Sequence, residues 1–277
     1  MAVKLGMNEA TCKENSTLEQ DLMLCEKYHY SYIEIRLDML KDYLQRHSIA
    51  ELQSFFAASN VKPYAFNSIE DINFRTEEQW AKVVELFTFA CEAGQKIGNP
   101  YIVVVPTMDD AMINKTEQEI FEDSVKVLRK LSDIAAPYDM KLAFEPIGNP
   151  RWCVRNLRQC MAIIDAVDRQ NVGVAIDAFN LFLYDKLQDM AAIDLVPAEK
   201  IFVYHIDDSE NLPLAELDHC HRLFPGDGVI PLAEITQRLH KKGYEGVASV
   251  ELFRPEYWAM DPDDVFRLAA EKTRKFL

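Results

Sequence analysis

Residues 172–205 read VGVAIDAFNLFLYDKLQDMAAIDLVPAEKIFVYH, two short apolar runs on either side of a longer stretch of helical composition. Val172–Asp177 and Ile201–His205 lack the apolar–polar alternation of a half-exposed strand. Strands that read as near-continuous apolar runs are covered on both faces, as in parallel sheets. Joining two such strands through a helix gives a βαβ unit. Each run also ends on an ionisable residue, Asp177 and His205.

The same alternation extends in both directions. Further strands are expected at Lys4–Asn8, Tyr32–Arg36, Lys62–Asn67, Tyr101–Val105, Lys141–Glu145 and Ala248–Glu251, which makes eight in all. Helices are expected at Thr17–Tyr28, Ile49–Ser59, Glu77–Ile97, Glu117–Tyr138, Val154–Val167, Leu183–Ala192, Leu232–Lys242 and Asp263–Phe276. Cap-like openings such as Thr76-Glu77-Glu78 and Asp261-Pro262-Asp263 mark several starts. Eight strands each followed by a helix predict an α/β fold, a closed (β/α)8 TIM barrel, with residues 1–277 as a single domain. A doubly wound sheet is disfavoured because no glycine-rich phosphate loop follows the first strand. Residues 207–231 are too long for an ordinary strand-to-helix connection and predict an active-site loop.

Bulk properties narrow the function. The formal net charge of −15 would repel a nucleic-acid backbone and suits a neutral substrate or a cation. No apolar run approaches the roughly 18 residues that a membrane span needs. The six scattered cysteines form no C-x-x-C pair, and no secretory leader precedes Lys4, so a reducing, cytoplasmic location is expected. Barrels commonly pair through exposed helices, and a homodimer is carried as an expectation on that ground alone.

Chemistry in such barrels sits where strands end. Four successive strands end in Glu145, Asp177, His205 and Glu251. One acid at a strand end could equally be a helix cap or an ion-pair partner. Four converging on one rim, each expensive to desolvate unpaired, point to a divalent metal. Three carboxylates and an imidazole suit zinc, manganese, cobalt or magnesium, and ligand type alone does not choose. Glu34 could face the same cavity or pair with Arg36. Arg222, beside the tight Phe224-Pro225-Gly226-Asp227-Gly228 turn, could reach a substrate oxygen, while His219 and His221 in the same loop stay open. Arg254 and Glu256 could anchor a neighbouring loop.

At these residues the chain resembles the xylose isomerase-like barrel superfamily of sugar isomerases and epimerases, and within it the inosose isomerases. The likeness covers nearly the whole chain. It is carried by Asn8-Glu9-Ala10-Thr11, by residues 32–36 (YIEIR), by residues 200–208 (KIFVYHIDD) and by residues 249–257 (SVELFRPEY). It implies a cytoplasmic isomerase of inositol catabolism, holding one divalent ion, with zinc or manganese favoured. The implied reaction interconverts 2-keto-myo-inositol and 1-keto-D-chiro-inositol through an enediolate. It further implies that Glu145, Asp177, His205 and Glu251 hold the metal, that Glu145 and Glu251 transfer protons, and that Arg222 contacts substrate. The family often has histidine three residues after the metal-binding aspartate, a substrate-contact position where this chain has Asn180. A ketose 3-epimerase or an inosose dehydratase could use the same scaffold. A non-catalytic polyol-binding barrel has no need of two opposed proton-transfer groups, and an apurinic-site endonuclease would want more histidines and a basic groove.

Overall fold

A computed structural model describes residues 3–108 and 115–277; residues 1–2 and 109–114 of the expected 1–277 domain lie outside the described residues. Ten strands are found among them: β1 Lys4–Asn8, β2 Tyr32–Arg36, β3 Lys62–Ile69, β4 Tyr101–Val104, β5 Lys141–Phe144, β6 Val172–Asp177, β7 Ile201–His205, β8 Asp208–Ser209, β9 Arg222–Leu223 and β10 Val247–Val250. All but β8 and β9 close into a parallel barrel in the order β1-β10-β7-β6-β5-β4-β3-β2. β8 and β9 pair antiparallel inside the long loop.

The helices are α1 Leu18–Lys27, α2 Leu37–Tyr43, α3 Ile49–Ala58, α4 Glu77–Ile97, α5 Glu117–Ala135, α6 Leu157–Val167, α7 Ala178–Asp185, α8 Ala192–Leu195, α9 Leu232–Lys241, α10 Pro255–Trp258 and α11 Pro262–Thr273. Capping boxes start α3 (Ser48 with Glu51), α4 (Thr76 with Gln79) and α5 (Thr116 with Glu119), satisfying first-turn N–H groups that would otherwise lack partners. The fold departs from the sequence expectation in several places, among them the short helices α8 and α10 and the following three. A helix, α2, begins directly after β2. The helix after β6 is Ala178–Asp185 instead of Leu183–Ala192, because Lys186 and Leu187 turn into the left-handed region and stop it. The long loop carries its own two-stranded ribbon.

Packing falls into two layers. A large apolar layer lies between barrel and helices, with Ile33, Ile35, Leu142, Ile176 and Val250 meeting Leu22, Phe87, Leu128, Ile164 and Phe266. A smaller cluster that includes Val103, Ala143, Ala175 and Val203 is built largely from the alternate, inward-facing strand positions. Strand register then sets the height of the polar residues above it: Asp177 lies level with His205, and Asn8 level with Glu34.

Behind the first strand, Glu9 and Asp21 are both fully buried. Glu9 Oε2 accepts from the Arg36 N–H at 2.7 Å, and the Ser16 hydroxyl bonds Asp21. Burial pushes the Asp21 carboxyl up to about 8, and burial together with the charge of Asp21 holds Glu9 well above the usual carboxylate range. A folded-state value above the unfolded one means that the folded chain binds the extra proton, so this contribution is complete below about pH 4 and is lost as pH rises through about 8. Asp21→Asn, which keeps the shape of the neutral acid, is expected to gain melting temperature relative to wild type progressively from pH 5 to 8. Thermal melts across that range should show a widening difference that levels off above about pH 9; a constant difference would contradict the assignment.

Candidate metal centre and active site

The four strand-end residues meet. One donor atom from each of Glu145, Asp177, His205 and Glu251 lies within 4.8 Å of the others, and all four side chains are buried. Asp177 belongs to two structures at once. Its Oδ1 caps α7 by accepting from the Asn180 N–H at 2.5 Å, which fixes the side chain and leaves Oδ2 directed at the cluster, 2.9 Å from Arg222 Nη2. His205 is oriented from behind. Its Nε2 lies 3.1 Å from Glu34 Oε2, while Nδ1 lies 3.4 Å from both Glu145 Oε1 and Glu251 Oε2 and 3.6 Å from Asp177 Oδ2. A carboxylate on Nε2 holds a proton there, so that a metal ion replacing the Nδ1 proton would find Nδ1 already aimed among the carboxylates, an arrangement usual for a metal-binding histidine.

Amide groups hold the carboxylates in place. Asn8 Nδ2 donates to Glu34 Oε2 at 3.1 Å and to Glu251 Oε1 at 2.9 Å, and Asn67 Nδ2 donates to Glu251 Oε1 at 2.8 Å. Asn180 Nδ2 donates to Glu145 Oε1 at 3.1 Å. Arg222 is buried beside the cluster, with Nη1 2.6 Å from Glu251 Oε2 and 3.0 Å from Asp207 Oδ2, and Nη2 2.9 Å from Asp177 Oδ2. Its guanidinium is sandwiched between the rings of Phe179 and Phe253 at 5.2 and 5.1 Å.

Electrostatics separate these groups. Burial pushes the Glu145 carboxyl up to about 7 against the pull of His205. Burial acts on Asp177 in the same direction, but Arg222 and His205 outweigh it and hold the group at about 2. Burial would lower His205, yet Glu251, Glu34 and Glu145 together raise it well above the ordinary imidazole value. The cluster is rich in negative charge, with three carboxylates sharing the charges of His205 and Arg222, and the donors are hard oxygens with one nitrogen. These residues fit a divalent cation.

Above the cluster opens a cavity of about 230 Å³ lined by Asn67, Ser68, Glu70, Val105, Glu145, Ile147, Trp152, His219, Arg222, Glu251 and Phe253. Two of the four clustered side chains, Glu145 and Glu251, reach this cavity. Arg222 lines it where a substrate contact was expected. Glu34 and Asn180, also expected to touch substrate, do not line it: Glu34 Oε2 bonds His205 and Asn8, and Asn180 Nδ2 bonds Glu145. Nor does Arg36 pair with Glu34; it pairs with Asp38 at 2.7 Å. Sequence reading missed Asn67, Trp152 and Phe253. Asn67 stands at the end of its expected strand and could have been found by asking what ends the early strands. Trp152 and Phe253 lie in loops and give no such signal.

The long loop is tied down. Asp208 accepts backbone N–H bonds from Ser209, Gly226, Gly228 and Ile230, at 2.8 to 3.0 Å. Any side chain at Gly228 would collide with the Ser209 carbonyl at 2.2 Å, so this approach requires glycine. Arg254 anchors the same loop through Glu210 at 2.5 Å and pairs with Glu256 at 3.2 Å.

Comparison with known proteins agrees with this geometry. A family model described as xylose isomerase-like TIM barrel matches residues 22–276. The inosose isomerase of Bacillus velezensis is 39% identical over 272 residues, covering 98% of this chain and 96% of its own. That of Bacillus subtilis is 39% identical over the same shares of both chains. A 1.8 Å crystal structure of the IolI protein with a bound zinc atom superposes with a TM-score of 0.94 at 37% identity, covering 99% of this chain and 98% of that one.

If Glu34 orients His205, Glu34→Gln should weaken divalent-metal binding by about 10- to 100-fold while leaving the melting temperature of the metal-free protein within a few degrees. Titration of zinc against a competing chelator measures this, and unchanged affinity would remove Glu34 from the account.

Proposed function

The chain belongs to the xylose isomerase-like TIM barrel family and, within it, to the inosose isomerases; on that premise we propose that it interconverts 2-keto-myo-inositol and 1-keto-D-chiro-inositol. The observation that carries this reading is the division of labour in the cluster: Asp177 and His205 are sealed below the cavity, while Glu145 and Glu251 both belong to the metal-capable set and line the space a substrate would fill.

Glu145, Asp177, His205 and Glu251 hold one divalent ion, for which zinc or manganese is favoured and cobalt or magnesium chemically acceptable. When bound, the cation supplies Lewis acidity toward the ketone oxygen and the oxygen on the neighbouring carbon. The protein's own groups move the protons. One of the two glutamates takes the proton from the carbon bearing the adjacent hydroxyl, giving an enediolate. The other returns a proton to the former carbonyl carbon, and the hydroxyl proton shifts so that the ketone reforms one position away. Such positioned acid–base groups contribute roughly 10²–10⁴-fold each. Arg222, held in place by Glu251, Asp207 and the two phenylalanine rings, is available to a developing oxyanion.

The partner is a small neutral polyhydroxy ketone. No helix among the described residues is long and apolar enough to cross a membrane. Unpaired cysteines at positions 12, 25, 91, 153, 160 and 220 are compatible with a reducing cytoplasm. A homodimer is part of the proposal only by analogy with other barrels.

Proton NMR in D₂O of metal-loaded protein with 2-keto-myo-inositol should show 1-keto-D-chiro-inositol forming with solvent deuterium at the exchanging carbon, and no turnover after EDTA stripping. Inversion of a carbon with the carbonyl unmoved would point instead to a 3-epimerase, and no conversion with any divalent metal would contradict both. At saturating metal, Glu145→Gln and Glu251→Gln should each lower kcat by at least about 100-fold; full activity in either would remove that residue from proton transfer.

A further inference from the structure

His219 comes from the long loop, in the short 3₁₀ turn His219–His221, and its side chain lines the cavity. Its position is fixed twice over. Asp218 Oδ1 accepts from the His219 N–H at 2.8 Å, and the Arg254 guanidinium bonds the neighbouring Cys220 carbonyl at 3.4 Å. The imidazole sits among three aromatic rings, with centroids 5.6 Å from Trp152, 5.8 Å from Phe253 and 6.2 Å from Phe179. Inside that apolar collar Nε2 is buried and has no hydrogen-bond partner. A buried polar nitrogen left unmade costs about 1–3 kcal/mol, and a ring serving only to pack would do so better as phenylalanine.

We infer that His219 is a substrate-binding residue that sets specificity, offering an imidazole nitrogen to a ring hydroxyl of a neutral polyhydroxy ketone at a distance from the reacting carbons. The inference rests on the isomerase reading above. Val105, Ile147, Trp152 and Phe253 make one part of the lining apolar, and His219 is the polar residue set among them, whereas Asn67, Ser68 and Glu70 come from the end of β3 and the residue after it. Burial and the nearby Arg222 charge push His219 down to about 4, so the ring is neutral at physiological pH. A neutral imidazole carries one donor and one acceptor, which matches a hydroxyl and gives no advantage to an anion. Sites built to bond a hydroxyl discriminate strongly against analogues that lack it.

The test uses the metal-loaded full chain and two variants. His219→Phe keeps the aromatic packing and removes both nitrogens; His219→Gln restores a polar group near the Nε2 position. KM for 2-keto-myo-inositol and, by calorimetry, Kd for the non-reacting polyol myo-inositol are measured alongside metal content and melting temperature. The expected result is that His219→Phe weakens both KM and Kd by about tenfold with metal content and melting temperature retained, and that His219→Gln recovers most of the loss. KM and Kd within twofold of wild type in His219→Phe would overturn the inference, as would wild-type protein that binds no myo-inositol. Wild-type protein that binds the polyol but does not isomerise the ketone would sink the isomerase reading alone, because the binding comparison still decides the role of His219.

Discussion

The carboxylates of Glu34, Glu145, Asp177, Asp207 and Glu251 are buried around two cationic side chains, Arg222 and His205, and the upper half of the barrel is organised by the need to neutralise them. Each buried charge carries a desolvation cost of several kcal/mol unless it is paired and hydrogen-bonded. Arg222 reaches Asp177, Asp207 and Glu251, and His205 reaches Glu34, Glu145, Asp177 and Glu251, so both cations are shared and negative charge remains in excess. Under the proposed reading a divalent ion supplies the missing positive charge, and the same ion activates the substrate.

Precision in this arrangement comes from groups that do not line the cavity. Strand register places Asn8 beside Glu34 and Asp177 beside His205. From those positions Asn8 bridges Glu34 to Glu251, Glu34 holds the far nitrogen of His205, and the cap on α7 leaves the second Asp177 oxygen to the cluster and Arg222. Asn180 then steadies Glu145, so a residue lying where relatives often place a substrate contact acts here on a proposed metal ligand. The apolar layers below and around the cluster keep water away from everything except the two glutamates and Arg222, which open into the cavity.

Much of this was legible in the sequence because strand periodicity and strand ends are written locally. Val172–Asp177 and Ile201–His205 have the observed bounds, and β5 and β10 stop one residue short of Glu145 and Glu251, although the Glu145 N–H still bonds the Val104 carbonyl of β4 at 3.0 Å. What escaped was whatever depends on three-dimensional meeting. Helix α7 was misplaced because Ala178–Asp185 is short and apolar enough to show no clear period, and its start signal, Asp177, had already been read as a strand end. Glu34 and Asn180 carry the right chemistry for substrate, but only the packed barrel shows that they lie off the cavity wall and bond His205, Asn8 and Glu145. The cavity wall of Trp152, His219 and Phe253 is drawn from three separate loops, and no spacing rule connects them.

The most direct test of the charge-neutralisation account is anomalous diffraction from crystals soaked in zinc. The account predicts one strong peak bounded by Glu145, Asp177 and Glu251, with His205 bound through Nδ1 at about 2.0–2.1 Å and its Nε2 still on Glu34. A peak elsewhere, coordination through Nε2, or an empty cluster at saturating zinc would contradict it.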